Sequence, residues 1–278
     1  MEIWQTVVLG VVEGITEFLP VSSTGHLTIT EKLLGLPVKD EAVTAYTAII
    51  QVGAILAAIV YFRRDIIRFV LGFCRGLVSA EARRSPDWRM ALFVIGGSVP
   101  IGVVGLAAHK FIEGPLRSLW VVAAGLILWS GVMVFAESAA TQQRSEEKLS
   151  WKDVMTVGVA QCVALIPGVS RSGATISAGL LRDLDRVSAT RLSFFLGIPA
   201  LIAAGGKEAF SARHAISAQH LWGPALYGNL VSFVVAYAVI AWLLRLVAHH
   251  KITVFVWYRV LLGGALIAAL ATGFIAAT

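Results

Sequence analysis

Read for its hydrophobic and polar positions, the chain is a succession of long apolar runs separated by short basic stretches. The runs near 44–62, 90–111, 119–137, 192–206, 225–246 and 255–276 each predict one spanning helix, since about 20 apolar residues cover the hydrocarbon core of a bilayer. Two further segments, 1–34 and 153–182, are apolar but broken by proline and then by serines. They predict helical hairpins, each entering and leaving by one face. No ten-residue dyad alternation points to a barrel. The expectation is an all-α integral membrane protein, with residues 1–278 as a single membrane domain.

The two broken segments are copies of one another. Residues 10–25 read GVVEGITEFLPVSSTG and residues 158–173 read GVAQCVALIPGVSRSG. Gly10 matches Gly158, Gly25 matches Gly173, Glu13 faces Gln161, and Pro20 sits one place from Pro167. Repeat 1 then covers 1–137 and repeat 2 covers 153–276, each a re-entrant hairpin followed by three spans. Three is odd, so the second copy lies upside down relative to the first. Paired, interrupted helices at corresponding positions of an inverted repeat bring their tips together at the midplane and mark a binding or active site there.

Composition agrees with this class: 57% of the residues are hydrophobic, 14% are charged, and the mean hydropathy is +0.79. The net charge of +6 implies no nucleic acid, because the basic residues sit in loops. A long basic loop at 63–89 carries seven arginines, and with the stretches at 144–152, 182–191 and 245–251 one side collects fifteen basic residues. The other side has six: Lys32, Lys39, Lys110, Arg117, Lys207 and Arg213. That bias places the first side in the cytoplasm and both termini outside. Residues 1–9 carry Glu2 and no basic run, so no cleavable signal is expected. Cys74 and Cys162 have no partner spacing for zinc or a disulfide framework and read as packing residues.

The chemistry concentrates at the breaks. Glu13 and Glu17 are four apart and share a helix face within an apolar segment, so a proton, a metal ion or an arginine must compensate them. Pro20 and Gly25 bracket Ser22, Ser23 and Thr24, followed by His26. Such a turn offers hydroxyls and backbone N–H groups to an anion, although serines at a helix start are also ordinary caps. The second break holds Ser170, Arg171, Ser172 and Thr175. Arg171 is the sole basic residue between Lys152 and Arg182, and a guanidinium at mid-membrane costs at least about 2.5–3.5 kcal/mol unless an anion joins it. Two acids, one arginine, one histidine and several hydroxyls exceed what a structural ion pair needs; the surplus donors describe a phosphate site.

These residues carry a resemblance. GVVEGITEFLPVSSTGH, PGVSRSGAT and the run IIQVGAILA at 49–57 resemble the signature regions of the undecaprenyl pyrophosphate phosphatases of the bacitracin-resistance family, in the same order along a chain of similar length. The resemblance implies hydrolysis of undecaprenyl diphosphate to undecaprenyl phosphate and inorganic phosphate at the outer face of the bacterial plasma membrane, recycling the cell-wall lipid carrier. It also implies a metal dependence. Mg²⁺ or Ca²⁺ on Glu13 and Glu17 would offset their repulsion of a diphosphate. The candidate catalytic residues are Glu13, Glu17, Ser23, His26 and Arg171. Those for holding phosphate are Ser22, Thr24, Ser170, Arg171, Ser172 and Thr175. The expected partners are a polyprenyl diphosphate lipid, the bilayer and a second copy in a homodimer.

Two rival readings fit these residues less well. A lipid-phosphate transporter or flippase would need the same inverted repeat and anion site, but gains nothing from two extra negative charges. The other lipid phosphatase family shares a serine-glycine-histidine element and a serine-arginine pair. It also requires a histidine-to-aspartate element after the arginine, and here no histidine follows Arg171 until His214. The nucleophile stays open between Ser23, activated by Glu17 or His26, and water with Glu17 as base.

Overall fold

The computed structural model describes residues 2–37, 41–108, 116, 118–211, 217 and 222–275. Lys39, Lys110, Arg117, Arg213 and His214, which entered the readings above, lie outside the described residues. Among the described residues there are eleven α-helices: α1 Ile3–Thr16, α2 Ser23–Leu33, α3 Glu41–Tyr61, α4 Arg63–Val78, α5 Pro86–Ala107, α6 Leu119–Ala139, α7 Trp151–Val163, α8 Arg171–Leu181, α9 Arg186–Ser211, α10 Trp222–His249 and α11 Val254–Ala271. Five are long and apolar enough to cross a bilayer, six if α3 and α4 count as one bent span.

The segment 63–89, expected as a loop, is corrected by the structure. Most of it is α4, which leaves α3 at 77°. Its apolar residues recur at helical spacing, and this was obscured by the arginines between them. Gly72 and Gly76 let the helix lie directly on Asp87 and Trp88 at the start of α5. Phe73 stacks on Trp88 with ring centroids 5.4 Å apart.

Each broken segment is a pair of short helices, α1–α2 and α7–α8, joined by a non-helical turn. The two pairs exchange partners across the molecule. α1 packs on α10 while α7 packs on α5, and α3 packs on α10 while α9 packs on α5. Glycines permit the approach: a Cβ on Gly10 or Gly14 would press on the backbone of Gly228 or Ser232, and one on Gly158 would meet Gly97. Interfaces of this kind are dominated by small residues, because in lipid close packing, rather than hydrophobic expulsion, holds helices together.

Ion pairs gather the connecting turns on one face. Arg191 bridges Asp65 (3.2 Å) and Glu146 (2.7 Å). Glu137 accepts from Arg186 Nε and from the Ile252 N–H at 3.0 Å. Buried Asp153 accepts from Arg144, Arg182 and Ser150. Burial by itself would raise the Asp153 carboxyl, but these donors outweigh it and hold the group well below the usual carboxylate range. Asp183 is held low as well, by the N–H and hydroxyl of Thr141.

Candidate active site

The two breaks have the same backbone. α1 ends as Glu17 N–H closes on Glu13 O, and Pro20, which has no N–H to donate, prevents its continuation. Ser22 then takes φ 76° and α2 starts at Ser23. In the second copy, α7 unwinds through Ala164–Ile166, Gly168 takes φ 92°, Ser170 takes φ 77°, and α8 starts at Arg171. Ser22 and Ser170 are thus equivalent serines held at left-handed φ, a strain of order 1–3 kcal/mol each that clusters where function fixes the backbone. Gly168 is obligatory, because a Cβ there would run into the Val122 carbonyl.

The breaks are sewn to each other. Gly168 N–H donates to Ser22 Oγ (3.2 Å), and Ser172 Oγ donates to the Leu19 carbonyl (2.9 Å). Ser170 Oγ reaches the same carbonyl at 3.4 Å, lies 3.1 Å from Ser172 Oγ, and caps α8 through Gly173 N–H. Ser22, Ser170 and Ser172, read from sequence as phosphate ligands, therefore hold the tips in register.

Arg259, which the sequence reading passed over, completes the seam. Its side chain is fully buried and donates to the carbonyls of Pro20 (2.9 Å), Gly125 (3.2 Å), Gly168 (2.9 Å) and Val169 (3.1 Å), and to Ser130 Oγ (3.1 Å). One guanidinium from α11 thus grips both turns, pulling their carbonyls toward itself. A lone arginine in an apolar run is the same signal that singled out Arg171.

A second set of contacts centres on Glu17. Ser23 Oγ donates to Glu17 Oε2 at 2.7 Å, and Gln51 Nε2 donates to the same oxygen at 3.2 Å. Arg171 Nη2 donates to Glu17 Oε1 at 3.3 Å and Nη1 to the Ser193 carbonyl at 3.2 Å, leaving Nε without a partner among the described residues. Its guanidinium lies over the Phe18 ring and leaves no room for a side chain at Gly197. Thr175 Oγ1 is 2.6 Å from Ser193 Oγ and donates to Arg171 O (2.8 Å), so it braces the arginine's own turn. Gln51 and Ser193 were missed from sequence; Gln51 is the one polar residue in the apolar run at 49–57.

His26 is set slightly apart. Its Nδ1 lies 2.7 Å from Ser22 O, and its Nε2 lies 2.6 Å from the Tyr258 hydroxyl, with the two rings stacked at 5.5 Å. It is held from the neighbouring position to Arg259, and no bond joins it to Ser23. Thr24 is exposed at the mouth of the turn.

Glu13 is wholly buried, within electrostatic reach of Glu17 and Arg171, and both of its carboxylate oxygens lack a hydrogen-bond partner among the described residues. Orphan carboxylate oxygens beside a second carboxylate suit a hard divalent cation, which accepts a few protein oxygens and keeps water or phosphate for the rest. No third acidic or histidine ligand joins them among the described residues. The donor set therefore fits Mg²⁺ or Ca²⁺ shared with a phosphate.

A multi-pass helical membrane protein that collects carboxylates, a hydroxyl and a guanidinium at two packed helix breaks has the donor set of an anion or phosphate site. The comparisons narrow this: the chain belongs to the family described as bacitracin resistance protein BacA, whose model matches residues 6–265. It is 53% identical over 278 residues to undecaprenyl-diphosphatase 3 of Frankia casuarinae, covering 100% of both chains. It is 55% identical over 270 residues to the undecaprenyl-diphosphatase of Acidothermus cellulolyticus, covering 97% of each. Against the undecaprenyl-diphosphatase of Mycobacterium tuberculosis the identity is 43% over 280 residues, with both chains fully covered.

Proposed function

We propose that this protein hydrolyses undecaprenyl diphosphate to undecaprenyl phosphate and inorganic phosphate, with the chemistry performed where the two helix breaks meet. Membership of the family and full-length relatives named for that reaction support the activity. The observation that carries the site is the chain Ser23–Glu17–Arg171, a hydroxyl hydrogen-bonded to a carboxylate that is itself paired with a guanidinium from the opposite break.

In this reading Ser23 Oγ attacks the terminal phosphorus while Glu17 takes the hydroxyl proton. The bond to the bridging oxygen breaks, and undecaprenyl phosphate leaves. Arg171, drawn partly off Glu17 by the incoming phosphate, stabilises charge on the equatorial oxygens. Glu17 passes its proton to the departing lipid phosphate; water then attacks the phosphorylated serine, Glu17 taking a proton from that water and returning it to Ser23 Oγ as inorganic phosphate leaves. Glu13 and Glu17 would hold the Mg²⁺ or Ca²⁺, which when bound offsets the negative charge brought by the diphosphate. The test is acid quenching during turnover of substrate labelled in its terminal phosphate. Label trapped on Ser23, and absent in Ser23→Ala, is expected. An unlabelled protein with Ser23→Ala near wild-type turnover would hand the attack to water.

The single domain, with repeat 1 over 1–137 and an inverted repeat 2 over 153–276, is supported by the exchanged helix partners and by the matched serines at left-handed φ. The gathering of Arg144, Arg182, Arg186 and Arg191 on one face supports a cytoplasmic assignment for that face, with the α1–α2 hairpin entering from outside. A cysteine at Thr24 should react with an impermeant thiol reagent on intact cells. One at Glu81, in a Cys74→Ser background, should react only after permeabilisation.

A further inference from the structure

Apart from the candidate active site, the described surface holds a recess lined by cations and aromatics. A groove of about 280 Å³ opens between the α4–α5 junction and the first turn of α7, lined by Arg83, Arg84, Ser85, Trp88, Arg89 and Trp151. Its arginines differ from the ion-paired arginines of the same face. Arg68, Arg144, Arg182, Arg186 and Arg191 each sit on a carboxylate. Arg83 donates to the carbonyls of Gly76 and Leu77, Arg89 donates to the Glu147 carbonyl and lies over the Phe93 ring, and Arg84 has no partner among the described residues; none of the three meets a carboxylate. Three cations with no counter-charge line one recess.

What lies beside the groove is apolar. α4 turns away from α3 at 77° and exposes Ile67, Val70, Leu71, Leu77 and Val78 along one stripe, the amphipathic pattern of a helix lying at a membrane interface. Below the groove, α5 exposes Ile95, Val99, Val103 and Leu106 at helical spacing, and the adjoining α7 exposes Met155 and Val159. Trp151, half exposed, stands at the boundary, where tryptophan prefers the headgroup level. A charged recess at the headgroup level, continued by a lipid-facing apolar stripe, matches both ends of one molecule.

We propose that this groove binds an anionic phospholipid, its phosphodiester among Arg83, Arg84 and Arg89 and its acyl chains along the exposed stripe of α5 and α7. Such a lipid would bridge α4, α5 and α7 at the face opposite the proposed entry of substrate. The site lies apart from the catalytic residues and does not depend on the reaction assigned to them.

The test is native mass spectrometry of the detergent-purified full chain, offered equal amounts of phosphatidylglycerol and phosphatidylcholine. The wild type should retain phosphatidylglycerol preferentially. Near a membrane surface each arginine contributes roughly a fivefold preference for anionic lipid, so Arg84→Gln should lower the ratio about fivefold and Arg84→Gln with Arg89→Gln about 25-fold. Arg245→Gln, exposed on the same face, should leave it unchanged, and thermal unfolding of each variant checks that the fold persists. Equal retention of the two lipids, or an equal loss in Arg245→Gln, would overturn the proposal. So would displacement by millimolar inorganic phosphate or glycerophosphoglycerol, since then the headgroup anion alone would account for binding.

Discussion

The two helix breaks have one backbone and two chemistries. Ser22 and Ser170 share the same left-handed φ to within a degree, and each precedes the first residue of a helix. At the equivalent position that follows, the first break has Ser23 and the second Arg171; where the first has Glu13 and Glu17, the second has Gln161 and Leu165. The acids and the hydroxyl stand on one break and the cation on the other. Gln161 matches Glu13 in its surroundings: it is fully buried, and its side-chain atoms lack partners among the described residues. A neutral amide in that place keeps the second break from repelling phosphate. The asymmetry assigns different jobs to matched positions.

The largest effect should come from removing the clamp that makes the copies one site. Arg259→Met would orphan up to four buried carbonyls and a hydroxyl, at roughly 1–3 kcal/mol for each group left unsatisfied, so both stability and activity should collapse. Arg259→Lys should recover part of the unfolding temperature and little of the turnover, since one ammonium cannot reach both turns. A variant with wild-type thermal unfolding would break the claim that α11 holds the two breaks together.

Next in size is the acid side of the comparison. Glu17→Gln keeps the shape and can still meet Ser23, but takes no proton; the loss in kcat should be about 100- to 10,000-fold. Glu13→Gln should cost less and be partly restored by excess Mg²⁺, and EDTA should silence the wild type. Full activity in EDTA would remove the cation and leave Glu13 and Glu17 sharing a proton.

The smallest effects lie on the arginine-rich face. Asp153 and Asp183 have lowered carboxyl pKa values, so their contribution to stability is complete above the ordinary range near 4 and disappears only as pH falls through the lower folded values. Unfolding temperature should therefore be flat from pH 7 to about 5 and fall below 4. Asp153→Asn should lower it at neutral pH, because Arg144 and Arg182 lose their shared carboxylate, and should flatten the acid slope. Turnover per folded molecule should stay unchanged, which separates this face from the breaks.

Much of this was legible in the chain because membranes simplify the code. Apolar length marks spans, and a proline followed by serines marks a break, so Glu13, Glu17, Ser23 and Arg171 stood out before any coordinates. α4 was not legible as a helix. Its arginines matched a loop, and its apolar stripe has a period that shows only when read at 3.6 residues. The tip-to-tip bonds of Ser22, Ser170 and Ser172 were equally hidden: a hydroxyl at a turn can face a ligand, another turn or both, and only three-dimensional pairing puts Leu19 O and Gly168 N–H within their reach. Arg259 carried a sequence signal as plain as that of Arg171, but it sits in a span rather than a break, where no motif drew attention to it.

The central claim is that the cation of the second break works on the phosphate held by the first. The most direct measurement is phosphate release from undecaprenyl diphosphate by purified Arg171→Ala under single-turnover conditions, beside its thermal unfolding. Removing one transition-state donor typically costs about 100-fold or more, so a loss of at least that size is expected from a protein that unfolds like the wild type. Arg171→Lys should remain severely impaired, because an ammonium lacks the two-pronged grip on phosphate oxygens. Retention of more than about a tenth of wild-type turnover by a folded Arg171→Ala would contradict the account, since a site that works without the second break's charge is not shared between the two.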